Sequence, residues 1–74
     1  MQKWEYAILD CKTDRHNTWH PWQFRGTELI NWQNIGFDSY LNQLGDQGWE
    51  LVGFSHNPGN MEYWVFKRPK YIVK

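Results

Sequence analysis

Three histidines, one cysteine and two aromatic-flanked glutamates are the residues of this chain best placed to do chemistry. His16 and His20 are four apart, a spacing that sets two imidazoles on one side of a helix where they can share a metal. Asn17-Thr18 between them and Pro21 directly after argue against a helix there. His56, beside Asn57-Pro58, reads as a turn residue. One Cys and three His also lack the paired spacing of a structural zinc site, so no metal and no cofactor is expected. Cys11 would need an electropositive, partly exposed setting and a positioned base to act as a nucleophile. Its neighbours Asp10 and Asp14 oppose that while Lys12 and Arg15 favour it, which leaves a structural cysteine near a strand end. Glu5 and Glu50 sit in Trp4-Glu5-Tyr6 and Trp49-Glu50-Leu51. If their strands pair, the two carboxylates become neighbours with a raised pKa, the start of an acid–base pair. The alternative puts each on the more exposed sheet face, bonded to Lys3, Lys67 or Arg68. The balance points to a protein that is not an enzyme.

Residues suited to binding are more plentiful. Six Trp, four Tyr and four Phe make up 19% of 74 residues, more rings than so small a core can enclose. Some must reach the surface and serve an interface. The run Trp19-His20-Pro21-Trp22-Gln23-Phe24 is the best candidate, and Trp19, Trp22, Phe24, Trp32 and Trp64 are the expected interface residues of a homo-oligomer or a complex with another protein. The alternative role for this run is a lid over the second sheet face, the one the helix does not cover. Arg25, Tyr63, Lys67 and Arg68 are candidate contacts to a small ligand, a nucleotide or a phosphate. Lys67 to Lys74 holds four of the eight basic residues and no acid, beside Tyr63, Trp64 and Phe66. That could bind nucleic acid by stacking and phosphate contact, but a net charge of zero and the missing aromatic signature of RNA-binding sheets argue against it.

The elements that must position these residues follow from periodicity. Lys3 to Asp10 alternates, with Trp4, Tyr6 and Ile8 on one side, and reads as a strand. Trp49 to His56 and Met61 to Arg68 read the same way around Asn57-Pro58-Gly59-Asn60, a tight reversal, and so form a hairpin. Phe37 to Gln47 has the only helical spacing, with Asp38 or Ser39 as cap and Gly48 as the left-handed stop. Gly45, inside the last turn, is expected to let the helix lie close on the sheet. Lys12 to Asn17 reads as a polar loop. Trp19 to Arg25 and Thr27 to Trp32 flank Gly26 as a looser hairpin, with Pro21 confining its strand to an edge or a short run. The expectation is one α+β domain over 1–74: an antiparallel sheet of three to five strands with one short helix, in the order β-(β-β)-α-β-β. Both sheet faces carry large apolar groups, and one helix covers only one of them. No run approaches the roughly 18 apolar residues of a membrane span. The start, Met1-Gln2-Lys3-Trp4-Glu5, has no signal-like apolar segment. A single free thiol suits a reducing compartment, so cytoplasm is expected.

Three motifs carry a family resemblance. Trp4-Glu5-Tyr6, then Leu41-Asn42-Gln43-Leu44-Gly45 followed by Gly48-Trp49-Glu50-Leu51-Val52, and a closing Phe66-Lys67-Arg68-Pro69 together resemble the small bacterial and phage proteins grouped as domain-of-unknown-function family 4177. The resemblance covers the start, the helix-to-strand junction and the last strand, and leaves out Cys11 to Phe24. It implies a compact strand-and-helix domain of bacterial or phage origin, with Trp4 and Tyr6 filling a core, and it implies no catalytic residue.

Overall fold

The computed structural model describes residues 1–71; residues 72–74 of the basic C-terminal run lie outside them. The elements are β1 (Trp4–Thr13), β2 (Trp19–Phe24), β3 (Thr27–Glu28), a 3-10 turn (Trp32–Asn34), α1 (Phe37–Asp46), β4 (Glu50–Asn57) and β5 (Met61–Pro69). All pairings are antiparallel, and the five strands lie in the order β3-β2-β1-β5-β4. The α+β architecture and the element order read from the sequence are those observed. β1 is the spine of the molecule, flanked by β2 along one edge and β5 along the other.

Local backbone chemistry sets the turns. Arg25 (φ 54) and Gly26 (φ 82) join Phe24 to its partner Thr27, the two left-handed positions that a two-residue hairpin loop requires. Pro58-Gly59-Asn60 closes the second hairpin between Asn57 and Met61, with Gly59 (φ 88) and Asn60 (φ 59) left-handed. The first hairpin is shorter than expected: β3 has two residues, and three residues later Asn31 turns left-handed (φ 56). From there the chain follows the β2 edge, where the Leu29 N–H donates to the Trp22 carbonyl at 2.8 Å. β1 in turn runs longer than expected. Lys12 and Thr13 pair with His20 and Trp19, so the polar loop begins only at Asp14. Pro21 lies inside β2 beside a bulge: Asp10 faces Gln23 and Cys11 faces Pro21, leaving Trp22 as the extra residue.

The helix starts at Gly36, extended and without a side-chain cap bond, rather than on Asp38 or Ser39. Asp38 instead sits in the first turn, where a negative charge suits the helix dipole. Gly48 (φ 89) ends the helix as expected, and the Trp49 N–H reaches back to the Leu44 carbonyl at 2.9 Å. The expectation for Gly45 is corrected. A Cβ built there meets nothing within 4 Å, so the glycine faces open space and not the sheet.

The helix covers one face, called inner here. Ala7, Leu9 and Cys11 of β1 and Phe66 of β5 meet Leu44 and Trp49 in the core, with Trp19, Phe24, Phe37, Tyr40, Leu41 and Trp64 packed around them. Trp4 and Tyr6 are not core residues, which corrects that expectation. Alternate residues of a strand are buried as a set, and the set that continues through Leu9 to Cys11 lies opposite Phe66 and Trp64 under the helix. The other set, Trp4, Tyr6 and Ile8, faces outward and runs into Asp10. The molecule is elongated along its strands, 47 × 23 × 19 Å, with a radius of gyration of 13.4 Å against about 11 Å for a compact chain of this length.

Candidate functional site

His20, His56 and Glu5 are each engaged by a neighbouring side chain. His20 is buried at the β2 edge, with Nδ1 2.8 Å from the Ile35 carbonyl and Nε2 2.7 Å from Asp14 Oδ2. Both partners are acceptors, so the ring binds best as an imidazolium donating from both nitrogens. The Ile35 carbonyl, then Asp14, raise the His20 pKa. The His20 hydrogen bond, helped by the Thr18 and His16 backbone N–H groups, holds the Asp14 carboxyl at about 2. The pair ties the β1–β2 loop to the segment entering the helix. His16 is exposed and forms no pair with His20. Among the described residues no three His, Cys, Asp or Glu side chains gather closely enough to hold a metal.

Cys11 is fully buried, and burial, with Glu62 and Asp10 nearby, pushes its thiol up to about 12. A thiol with that pKa is not a nucleophile at neutral pH. Glu5 lies opposite Arg68 and is ion-paired with it, which lowers the Glu5 pKa. Glu50 lies opposite the next residue, Lys67. Consecutive residues of a strand face opposite ways, so Glu5 and Glu50 fall on opposite faces and make no carboxylate pair.

Three clusters hold the binding residues. At the β2 end of the outer face, the Lys12 ammonium lies 4.1 Å from the centroid of Trp22 and 4.5 Å from that of Trp32. The Trp22 indole N–H is buried without an acceptor among the described residues. Next to this sandwich Lys12, Arg15, His16, Trp32 and Asn34 line an open polar hollow of about 630 Å³.

At the other end of the inner face, Trp49 carries Arg68 4.1 Å from its ring centroid and Arg25 at 5.8 Å. Arg68 is engaged by Glu5 and by the Gln47 carbonyl at 3.0 Å. Lys67 and Tyr63 share the outer face with Trp4, over which the Lys67 ammonium sits at 4.3 Å. The four candidate ligand contacts are thus divided, Arg25 and Arg68 on one face and Tyr63 and Lys67 on the other.

The third cluster lies between α1 and the β4–β5 hairpin. Trp19, Phe37, Asp38, Leu41, Glu62 and Trp64 line a pocket of about 270 Å³. Glu62 Oε1 accepts from the Trp64 indole N–H at 3.0 Å, and Oε2 lies 3.1 Å from His56 Nδ1. The His56 ring in turn meets the Trp19 ring edge-on at 6.1 Å. Phe37 tilts against Trp64 at 5.0 Å, and Phe54 stacks on Trp64 at 5.2 Å.

Of the five expected interface residues, Trp19, Phe24 and Trp64 are half-buried against the core, while Trp22 and Trp32 hold Lys12. Exposed apolar side chains lie elsewhere, at Ile30, along β4 at Leu51, Val52 and Phe54, and on the outer face. On the outer face Tyr6 is 61% exposed, Ile8 51% and Trp4 40%, with Tyr63 exposed beside them on β5. Tyr6 pairs with Lys67, Ile8 with Val65 and Asp10 with Tyr63; Glu50 faces Lys67 at one end of the patch and Lys12 follows Asp10 at the other. Burial raises the Asp10 pKa. Among the described residues only the Trp22–Trp32 corner lies over this face, at its β2 end. The signal for the patch lies in the strand itself: both alternating sets of β1 are apolar, so one of them must face outward.

Among the described residues no helix is long and apolar enough to cross a membrane. No family model, no curated protein and no solved structure matches this chain.

Proposed function

We propose that this chain is a non-enzymatic interaction module that pairs with a second copy of itself through the outer face of its sheet. The observation that carries the reading is the exposed Trp4, Tyr6, Ile8 and Tyr63 surface on the face opposite the helix. A patch of this kind on a small sheet marks an association surface. The core supports the same reading: its buried apolar residues are Ala7, Leu9, Cys11, Leu44, Trp49 and Phe66, and the lone cysteine permits no internal disulfide. Domains of this size gain stability from a staple or a partner.

Each end of the patch carries one acid and one base, Glu50 with Lys67 and Asp10 with Lys12. A two-fold axis lying across the strands therefore sets a neutral end of one copy on a neutral end of its partner. The non-enzymatic part rests on His20, Cys11 and Glu5, whose reactive atoms are engaged or buried. The single free thiol suits a reducing compartment such as the cytoplasm. Membership of the domain-of-unknown-function family 4177, and with it a bacterial or phage origin, is proposed on the three sequence motifs alone.

Light scattering on a size-exclusion column tests the pairing. The expected mass is twice that of the chain at high-micromolar concentration. Ile8→Glu, at an exposed position, is expected to give a folded monomer. A wild-type chain that stays strictly monomeric there overturns the reading.

A further inference from the structure

The inner-face pocket between α1 and the β4–β5 hairpin has a chemistry that self-pairing leaves unused. Its walls are the rings of Trp19, Phe37 and Trp64 with Leu41, and its polar groups are the carboxylates of Glu62 and Asp38. No lysine or arginine lines it. The Glu62 side chain is 16% exposed, and the Trp64 indole N–H and His56 hold its two oxygens in place. A carboxylate held in this way among aromatic walls, with a neutral His56 as its neighbour, presents negative potential to whatever enters. The ring faces add to that potential, because an aromatic face is the negative end of its quadrupole.

We propose that this pocket binds an alkylated ammonium group, such as the head of a quaternary amine. Aromatic walls attract a cation without hydrogen-bonding it, which suits an ammonium whose protons have been replaced by alkyl groups. A primary ammonium is more strongly hydrated and loses more of its water on entering among the rings. The volume agrees with a small head group: about 270 Å³ lies just below the roughly 300–1,000 Å³ of sites for drug-sized molecules. Glu62 supplies a full charge to the pocket, and Asp38, in the first helical turn and exposed, a second. The site uses the opposite face from the proposed pairing surface, so it is open in a monomer and in a pair alike.

The test follows the indole N–H resonances of Trp19 and Trp64 by NMR while choline chloride is added, against its uncharged tert-butyl analogue and against sodium chloride. Choline is expected to give saturable shifts at both indoles, with the uncharged analogue weaker by about ten-fold or more. Glu62→Gln keeps an acceptor for the Trp64 N–H and removes the charge, and is expected to weaken choline by about ten-fold. Asp38→Asn, at an exposed helix position, gives a second variant whose fold is not at stake, with a smaller loss expected. Equal binding of charged and uncharged probes overturns the proposal, and so does the absence of a saturating shift at tens of millimolar choline. A trimethyllysine peptide separates the two sources of the group. Tighter binding of the peptide than of choline assigns the pocket to a modified protein partner, and the reverse assigns it to a free amine; both outcomes support the site.

Discussion

His20 and Asp14 show how a residue with catalytic associations becomes a structural clamp, and the pH dependence of stability should report it. The His20 pKa is raised in the folded chain, so its contribution is complete below its ordinary value of 6.5 and is lost as pH rises through the folded value. The Asp14 pKa is lowered to about 2, so its contribution is complete above its ordinary value of 3.8 and is lost as pH falls towards 2. Both contribute fully between those two ordinary values. Thermal unfolding scanned against pH is expected to show its maximum there, and His20→Gln to flatten the decline on the alkaline side. Cys11 gives a second test. A fully buried thiol held at about 12 should resist alkylation in the native protein and react only on unfolding, and fast labelling under native conditions would contradict its place in the core. At this scale the sequence was informative about what each side chain is not. The ion pair of Glu5 with Arg68, 63 positions away, is one of the partnerships the charges offered, while the clamp of His20 on Asp14 and the Ile35 carbonyl left no local signal.

The elements were largely legible, because hairpins and helices write their signals locally. Pro58-Gly59 announced one reversal and Gly26 the other, and Gly48 stopped the helix where the spacing said it would. What was not legible was the phase of β1. Trp4-Tyr6-Ile8 and Ala7-Leu9-Cys11 are both apolar, and which set turns inward is decided by β5 and the helix, not by the strand itself. Gly45 is the other lesson, since its role was inferred from residue type and its surroundings are open. Replacing it by alanine adds helix propensity at no steric cost, so Gly45→Ala is expected to stabilise by about 1 kcal/mol, a rise of roughly 4–8 °C in Tm for a domain of this size. Gly48→Ala is expected to do the opposite by about 1 kcal/mol, because φ 89 is strained for any side chain. Paired thermal melts of the two variants check the signs directly.

For the whole molecule, the sequence posed a balance problem, two apolar faces and one helix, and the fold leaves most of the outer face exposed. The Trp19 to Trp32 segment turns along the β2 edge and covers the outer face around Lys12, which leaves Trp4, Tyr6 and Ile8 open. The aromatic pocket was beyond sequence reasoning. Trp19, Phe37 and Glu62 come from β2, α1 and β5, and only the register of β1 with both neighbours brings them together. If the outer face pairs, stability is inseparable from concentration. The Tm of the wild-type chain is then expected to rise with protein concentration, and that of Ile8→Glu to stay constant. Differential scanning calorimetry over a wide concentration range distinguishes the two.

The 47 × 23 × 19 Å shape has a hydrodynamic consequence. A single chain of these proportions tumbles and drags like a short rod, and elutes ahead of a sphere of its mass. Pairing through the outer face thickens the particle along one of its short dimensions, so the dimer is closer to equant than the monomer. Its friction therefore increases less than its mass, and the sedimentation coefficient should rise more steeply on association than it does for spheres that meet end to end.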